Sequence, residues 1–131
     1  MAERNYDSPD VHTQDGIPLE DGRFVRWQLT ADGDVGQRFK MCQYNDKTLH
    51  IQCDGNYNSA SVGLRGSNLP DPDPNTAAHW FNLTNQAGTQ IAFTSNGGAV
   101  VLDNPIWVSP IMSGGVPASA MNVLLYGKKI D

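Results

Sequence analysis

The chain has 131 residues, 39% of them apolar and 18% charged, with a net charge of −5. That is enough for one domain with its own core, and no basic stripe exists to neutralise nucleic-acid phosphates. No apolar run approaches the ~20 residues that span a bilayer, so neither nucleic acid nor membrane is an expected partner.

Residues 1–23 carry six acids (Glu3, Asp7, Asp10, Asp15, Glu20, Asp21) against Arg4 and Arg23. The remainder is close to neutral. The segment holds few large apolar groups and no signal-peptide pattern, so it reads as an extended acidic N-terminal arm, 1–23, on a protein made in a cytoplasm. A single domain, 24–131, follows.

Period-two alternation then dominates. Phe24–Thr30 places Val25, Trp27 and Leu29 on one face. Ala31-Asp32-Gly33-Asp34 turns the chain, and Gln37–Gln43 alternates Phe39 and Met41 against Arg38, Lys40 and Cys42. Lys47–Asn68 is expected to form a β-hairpin. Its inner face would carry Leu49, Ile51, Cys53, Val62 and Leu64, and its outer face His50, Gln52 and Arg65.

Asp71-Pro72-Asp73-Pro74 is stiff and extended, because each residue before a proline is pushed from the α region. Ala78–Thr84, Thr89–Thr94, Ala99–Leu102, Ile106–Ser109 and Ala120–Gly127 complete the expected strands. Thirteen Gly and eight Pro supply frequent turns. Eight or nine short strands with no apolar stripe at helical spacing indicate an all-β chain. The expected fold is a β-sandwich, jelly-roll or Greek-key like.

Chemistry-bearing clusters are sparse. His12, His50 and His79 are scattered, and Cys42 and Cys53 lack the close pairing of a metal site. A buried thiol accounts for Cys53, and a cross-strand disulfide to Cys42 stays open. Asp32-Gly33-Asp34 and Asp71-Pro72-Asp73 are turn residues rather than an ordered calcium loop. Neither Gly66-Ser67-Asn68 nor Ser113-Gly114-Gly115 forms a nucleophile elbow, and no carboxylate pair is nominated. The expectation is a protein without catalytic, cofactor-binding or metal-binding residues.

The succession WQLTADGDVG (27–36), KTLHIQCDG (47–55), VGLRGSN (62–68), WFNLT (80–84), GTQIAF (88–93), PIWVSP (105–110) and GGVPAS (114–119) followed by MNVLL (121–125) resembles small virion proteins of tailed bacteriophages. Those include β-sandwich capsid decoration, or cement, proteins. The resemblance covers about residues 25–127 and implies a non-enzymatic structural protein on the capsid surface of a virion. Its partners would be the major capsid protein and copies of itself, as a dimer or trimer. Exposed-apolar reasoning nominates Tyr6, Val11, Ile17 and Leu19 as arm anchors on a neighbouring subunit, and Trp107 and Met112 as contacts from the body. Removing residues 1–20 should then weaken capsid binding without lowering the melting temperature. The alternative is a carbohydrate- or receptor-binding β-sandwich module of a phage tail or fibre, which a surface tryptophan among Asn and Asp loops would suit.

Overall fold

The protein is described by a computed structural model covering residues 3–7 and 22–128. The strands are β1 (Glu3–Arg4), β2 (Tyr6–Asp7), β3 (Gly22–Leu29), β4 (Val35–Gly36), β5 (Phe39–Lys40), β6 (Asp46–Gln52), β7 (Ser61–Ser67), β8 (Phe81–Asn82), β9 (Ala92–Phe93), β10 (Gly97–Val101), β11 (Trp107–Ser113) and β12 (Met121–Lys128). Two sheets form the sandwich. One has five strands in the order β10-β6-β12-β3-β2. The other has seven and is built on β1-β4-β11-β7-β8, with β5 added to β11 and β9 to β7.

The apolar alternation becomes the space between the sheets. Val25, Trp27 and Leu29 of β3, Leu49 and Ile51 of β6, and Met121, Val123 and Leu125 of β12 meet Val62 and Leu64 of β7 and Val108 and Met112 of β11 in one core. Trp27 is fully buried, and its indole N–H donates to the Gln37 carbonyl at 2.8 Å. Gly36 lets the sheets close at this point, because a Cβ there would lie 2.4 Å from Pro110 and 2.7 Å from the Trp27 ring. Cys53 is buried and Cys42 exposed, and both are free thiols.

The expected hairpin at 47–68 is not one. β6 pairs with β10 and β12, whereas β7 pairs with β8, β9 and β11 in the opposite sheet. Residues 53–60 are too many for a tight two-residue turn and instead arch across the sandwich. The arch is held by the 114–119 loop: Asn58 Nδ2 donates to the Val116 carbonyl, and the Gly55 N–H donates to Ser119 Oγ. The inner residues read from the alternation are therefore right, but they face one another across the core rather than lying side by side.

Strands β1 and β2 pair residues 3–7 of the expected extended arm with the body, and residues 8–21 lie outside the described residues. β1 runs parallel to β4, and β2 antiparallel to β3. Among the described residues twelve strands stand where eight or nine are expected, six of them only two residues long. Ala78–Thr84 is not a continuous strand: Ala77–His79 is a single 3₁₀ turn that leads into β8.

Candidate interaction surface

The outer faces of the two sheets differ. On the seven-stranded sheet, side chains alternating away from the core include Arg65, Ser67, Trp107 and Ser109. The 68–80 connection lies over them, with Pro72 and Pro74 buried. Two arginines pin it. Arg38 lies 4.6 Å from the Trp107 ring centre, donates to the Pro72 carbonyl at 2.9 Å and pairs with Asp71 at 2.6 Å. Arg65 lies 4.8 Å from the Trp80 ring centre, and its Nη2 donates to the Pro74 carbonyl and to Ser109 Oγ.

Within the loop, the Trp80 indole N–H donates to the Asp73 carbonyl, and His79 Nδ1 accepts from the Asp73 N–H. The Asn75 N–H and the Thr76 hydroxyl both donate to the Asp73 carboxylate, and these bonds, with the Asn75 contribution first, hold it below the usual carboxylate range. The loop is thus a built cover.

The five-stranded sheet carries no such cover among the described residues. Its outward side chains form rows set by the register. Val100, Thr48, Tyr126 and Phe24 lie across β10, β6, β12 and β3. Beside them His50, Leu124 and Arg26 form a second row, ending at the ion pair between Arg26 and Asp7 of β2. A third row is an amide ladder: Gln28 Nε2 donates to Asn122 Oδ1 at 3.0 Å, and Asn122 Nδ2 donates to Gln52 Oε1 at 2.7 Å.

Phe24, Thr48, His50, Leu124 and Tyr126 line a shallow depression of about 470 Å³. Its floor is apolar and its rim polar, the composition of a protein contact surface. Gly22 lets the Tyr126 ring lie close to the β3 backbone, since a Cβ there would fall 2.3 Å from the Tyr126 hydroxyl and displace the ring.

The nominated contact residues are dispersed. Met112 is fully buried, because β11 turns it inward with Val108, so it cannot be a surface contact. Trp107 is half-buried beneath Arg38 and serves the loop cover rather than a free platform. Tyr6 packs on its own body, edge-on to Phe39 at 5.1 Å and to Trp27 at 6.2 Å. Val11, Ile17 and Leu19 lie outside the described residues. Arg65, expected on a solvent face, is 4% exposed under Trp80.

Sequence alternation does not single out this depression, because its residues occupy the phase opposite the core set on β3, β6 and β12. The signal available was Phe24, Leu124 and Tyr126, three large apolar groups at polar-phase positions of β3 and β12. Among the described residues, no three of His, Cys, Asp and Glu are grouped as a metal site requires, and no helix is long and apolar enough to cross a membrane.

No protein-family model and no curated protein matches the chain. Among solved structures it is similar to a cleaved adhesin domain of Lys-gingipain from Porphyromonas gingivalis. The TM-score is 0.41 at 9% identity, over 94% of this chain and 73% of that one. Similarity at that level transfers no function.

Proposed function

We propose that the chain is a non-enzymatic virion structural protein of the capsid decoration type, binding through the outer face of its five-stranded sheet. The observation that carries the docking face is the contrast between the sheets. One outer face is sealed by the chain's own 68–80 loop. The other presents Leu124, Tyr126 and a 41%-exposed Val100 around an apolar depression. The identity of the partner as a capsid lattice rests on the resemblance of residues 25–127 to phage virion proteins. A small face suffices on such a lattice, where many copies act together.

Co-sedimentation with capsids tests this. Leu124→Asp and Val100→Asp place a charge in the face without touching the core, so each should fold and lose at least tenfold in capsid affinity. Full capsid binding by both folded variants overturns the proposed face, and absence of binding by the unaltered protein overturns the decoration reading.

A second reading has its own observation. Leu69, Ala78, His79, Trp80 and Phe81, with Ser67 and Asn68, line a separate depression of about 450 Å³. His79 Nδ1 and Asn68 Oδ1 are both occupied as acceptors, which leaves an imidazole Nε2–H and an amide NH₂ as donors beside exposed aromatic surface. Donors beside an aromatic wall suit a sugar. Saturable quenching of tryptophan fluorescence by one glycan class, abolished in Phe81→Ala, would support this reading; no response across a glycan array removes it.

A further inference from the structure

A lysine sits inside the sandwich against a carboxamide. Lys47 occupies the inward phase of β6, ahead of Leu49 and Ile51, and is fully buried. Its ammonium donates to the Tyr44 carbonyl at 3.2 Å and to Asn104 Oδ1. The ion pairs among the described residues are Arg4–Asp34, Arg26–Asp7 and Arg38–Asp71, so no carboxylate of that set neutralises Lys47 directly. Burial pushes its ammonium below the usual lysine value, against the weaker opposing pull of Asp103 and Asp46. The neutral, nucleophilic amine is thereby made more accessible.

Asn104 lies in the connection between β10 and β11, with its residue surface otherwise exposed. Contact with its carbonyl oxygen brings the lysine nitrogen beside the carboxamide carbon. A nucleophile and an electrophile fixed together in this way react as if at very high concentration.

We propose that Lys47 and Asn104 join in an intramolecular isopeptide bond, Lys47 Nζ to Asn104 Cγ, with release of ammonia. The amine lone pair attacks Cγ and the Cγ–Nδ2 bond breaks. A proton leaving Nζ passes to the departing nitrogen, which escapes on the exposed side of Asn104. Counted from the ammonium form, the products are a secondary amide and one ammonium ion, so no oxidant or cofactor is needed. Asp103, next to Asn104 in the chain and close enough for its charge to act on Lys47, is the carboxylate the proposal assigns to relay the proton. Its Oδ2 is held by the Thr84 N–H and hydroxyl, which fixes the carboxylate in place. The bond would tie β6 of the five-stranded sheet to the segment entering β11 of the other.

Mass spectrometry of the full chain decides this. The denatured protein should be lighter by one ammonia than its sequence requires, and protease digestion should yield one branched peptide containing both residues. Lys47→Arg and Asn104→Ala should each restore the sequence mass. Pro105 has no N–H to form the succinimide that releases ammonia from many asparagines, so a loss localised at Asn104 reports the lysine bond. Asn96 precedes Gly97 and has that route. An ammonia loss confined to Asn96, or Lys47 and Asn104 recovered intact in separate peptides, overturns the proposal. This needs only the unaltered protein, so it stands even where a variant does not fold. Full branching in a folded Asp103→Asn variant would overturn the relay role of Asp103.

Discussion

The Arg65 guanidinium lies 4.8 Å from the centre of the Trp80 ring and at the same time bonds Ser109 Oγ beneath it, at 2.9 Å. One side chain therefore joins sheet to loop. Burial pushes Arg65 down to about 10, so its charge is retained at neutral pH at a desolvation cost. Its Nε and Nη1 find no hydrogen-bond partner among the described residues, so the ring above offsets part of that cost. Trp80→Ala should cost about 2 kcal/mol, the upper range for a desolvated cation–π contact. Limited proteolysis should then cut within 68–80 while hydrogen exchange in β6 and β12 stays slow. Equal protection of that loop in the variant would show that Arg65 does not depend on the ring.

Asp34 supplies a pH-dependent anchor. It is 1% exposed, and its Oδ2 accepts from the Thr30 N–H, the Ala31 N–H and Arg4 Nε, each within 3.0 Å. Burial alone would raise its carboxyl, but the bonds from Arg4, Thr30 and Ala31 together outweigh it and leave it below the usual aspartate value. The native state therefore releases this proton more readily than the unfolded chain does. The resulting stability is fully present above about pH 4, the range of a free aspartate, and is lost as pH falls through the lowered native value. Asp34→Ala should cost about 2–3 kcal/mol at pH 7, since it leaves two backbone donors and Arg4 without an acceptor. Urea titrations should find the gap between variant and parent narrowing towards pH 3; a gap constant with pH would assign the effect to packing instead.

What alternation encodes and what it omits are both visible in β6 and β7. Leu49, Ile51, Val62 and Leu64 are legible as inward residues because a period of two needs only local sequence. Which strand lies beside which is set by long-range register, and residues 53–60 are equally polar in a turn or an arch. Arg65 illustrates the same limit. Its phase points it outward, correctly, but only the fold of 68–80 puts a roof on that side. The Tyr126–Leu124–Val100 face is spread over two strands that are 20 residues apart and gains meaning only once β6 lies between them.

Met112 and Trp107 provide a paired test of the corrected assignments. Met112 is wholly enclosed in the core, so Met112→Ala should cost about 2–4 kcal/mol through lost transfer energy and a residual cavity. Trp107 is half-buried under Arg38, and Trp107→Ala should cost about 1 kcal/mol while loosening the 68–80 loop. Chemical denaturation of the two variants gives the order directly. A cost at Trp107 as large as that at Met112 would mean that its ring carries core packing beyond the Arg38 stack.

The N-terminal strands make the last prediction, and it reverses the expectation for residues 1–20. β1 extends the seven-stranded sheet and β2 the five-stranded sheet, so five consecutive residues bridge the open side of the sandwich. The Gln37 N–H donates to the Arg4 carbonyl at 2.7 Å, and the Tyr6 ring stands edge-on to both Phe39 and Trp27. Each aromatic pair contributes about 0.5–1.5 kcal/mol beyond area burial, so Tyr6→Ala should cost about 1–3 kcal/mol. Removing residues 1–7 should lower the melting temperature by several degrees and raise exchange along β3 and β4, the strands it would unpair. The truncated chain should still bind capsids wherever it remains folded, because Leu124 and Val100 are untouched. Thermal unfolding and co-sedimentation on the same preparation separate the two roles. A truncation with unchanged melting temperature and lost binding would return residues 1–7 to the partner rather than to the fold.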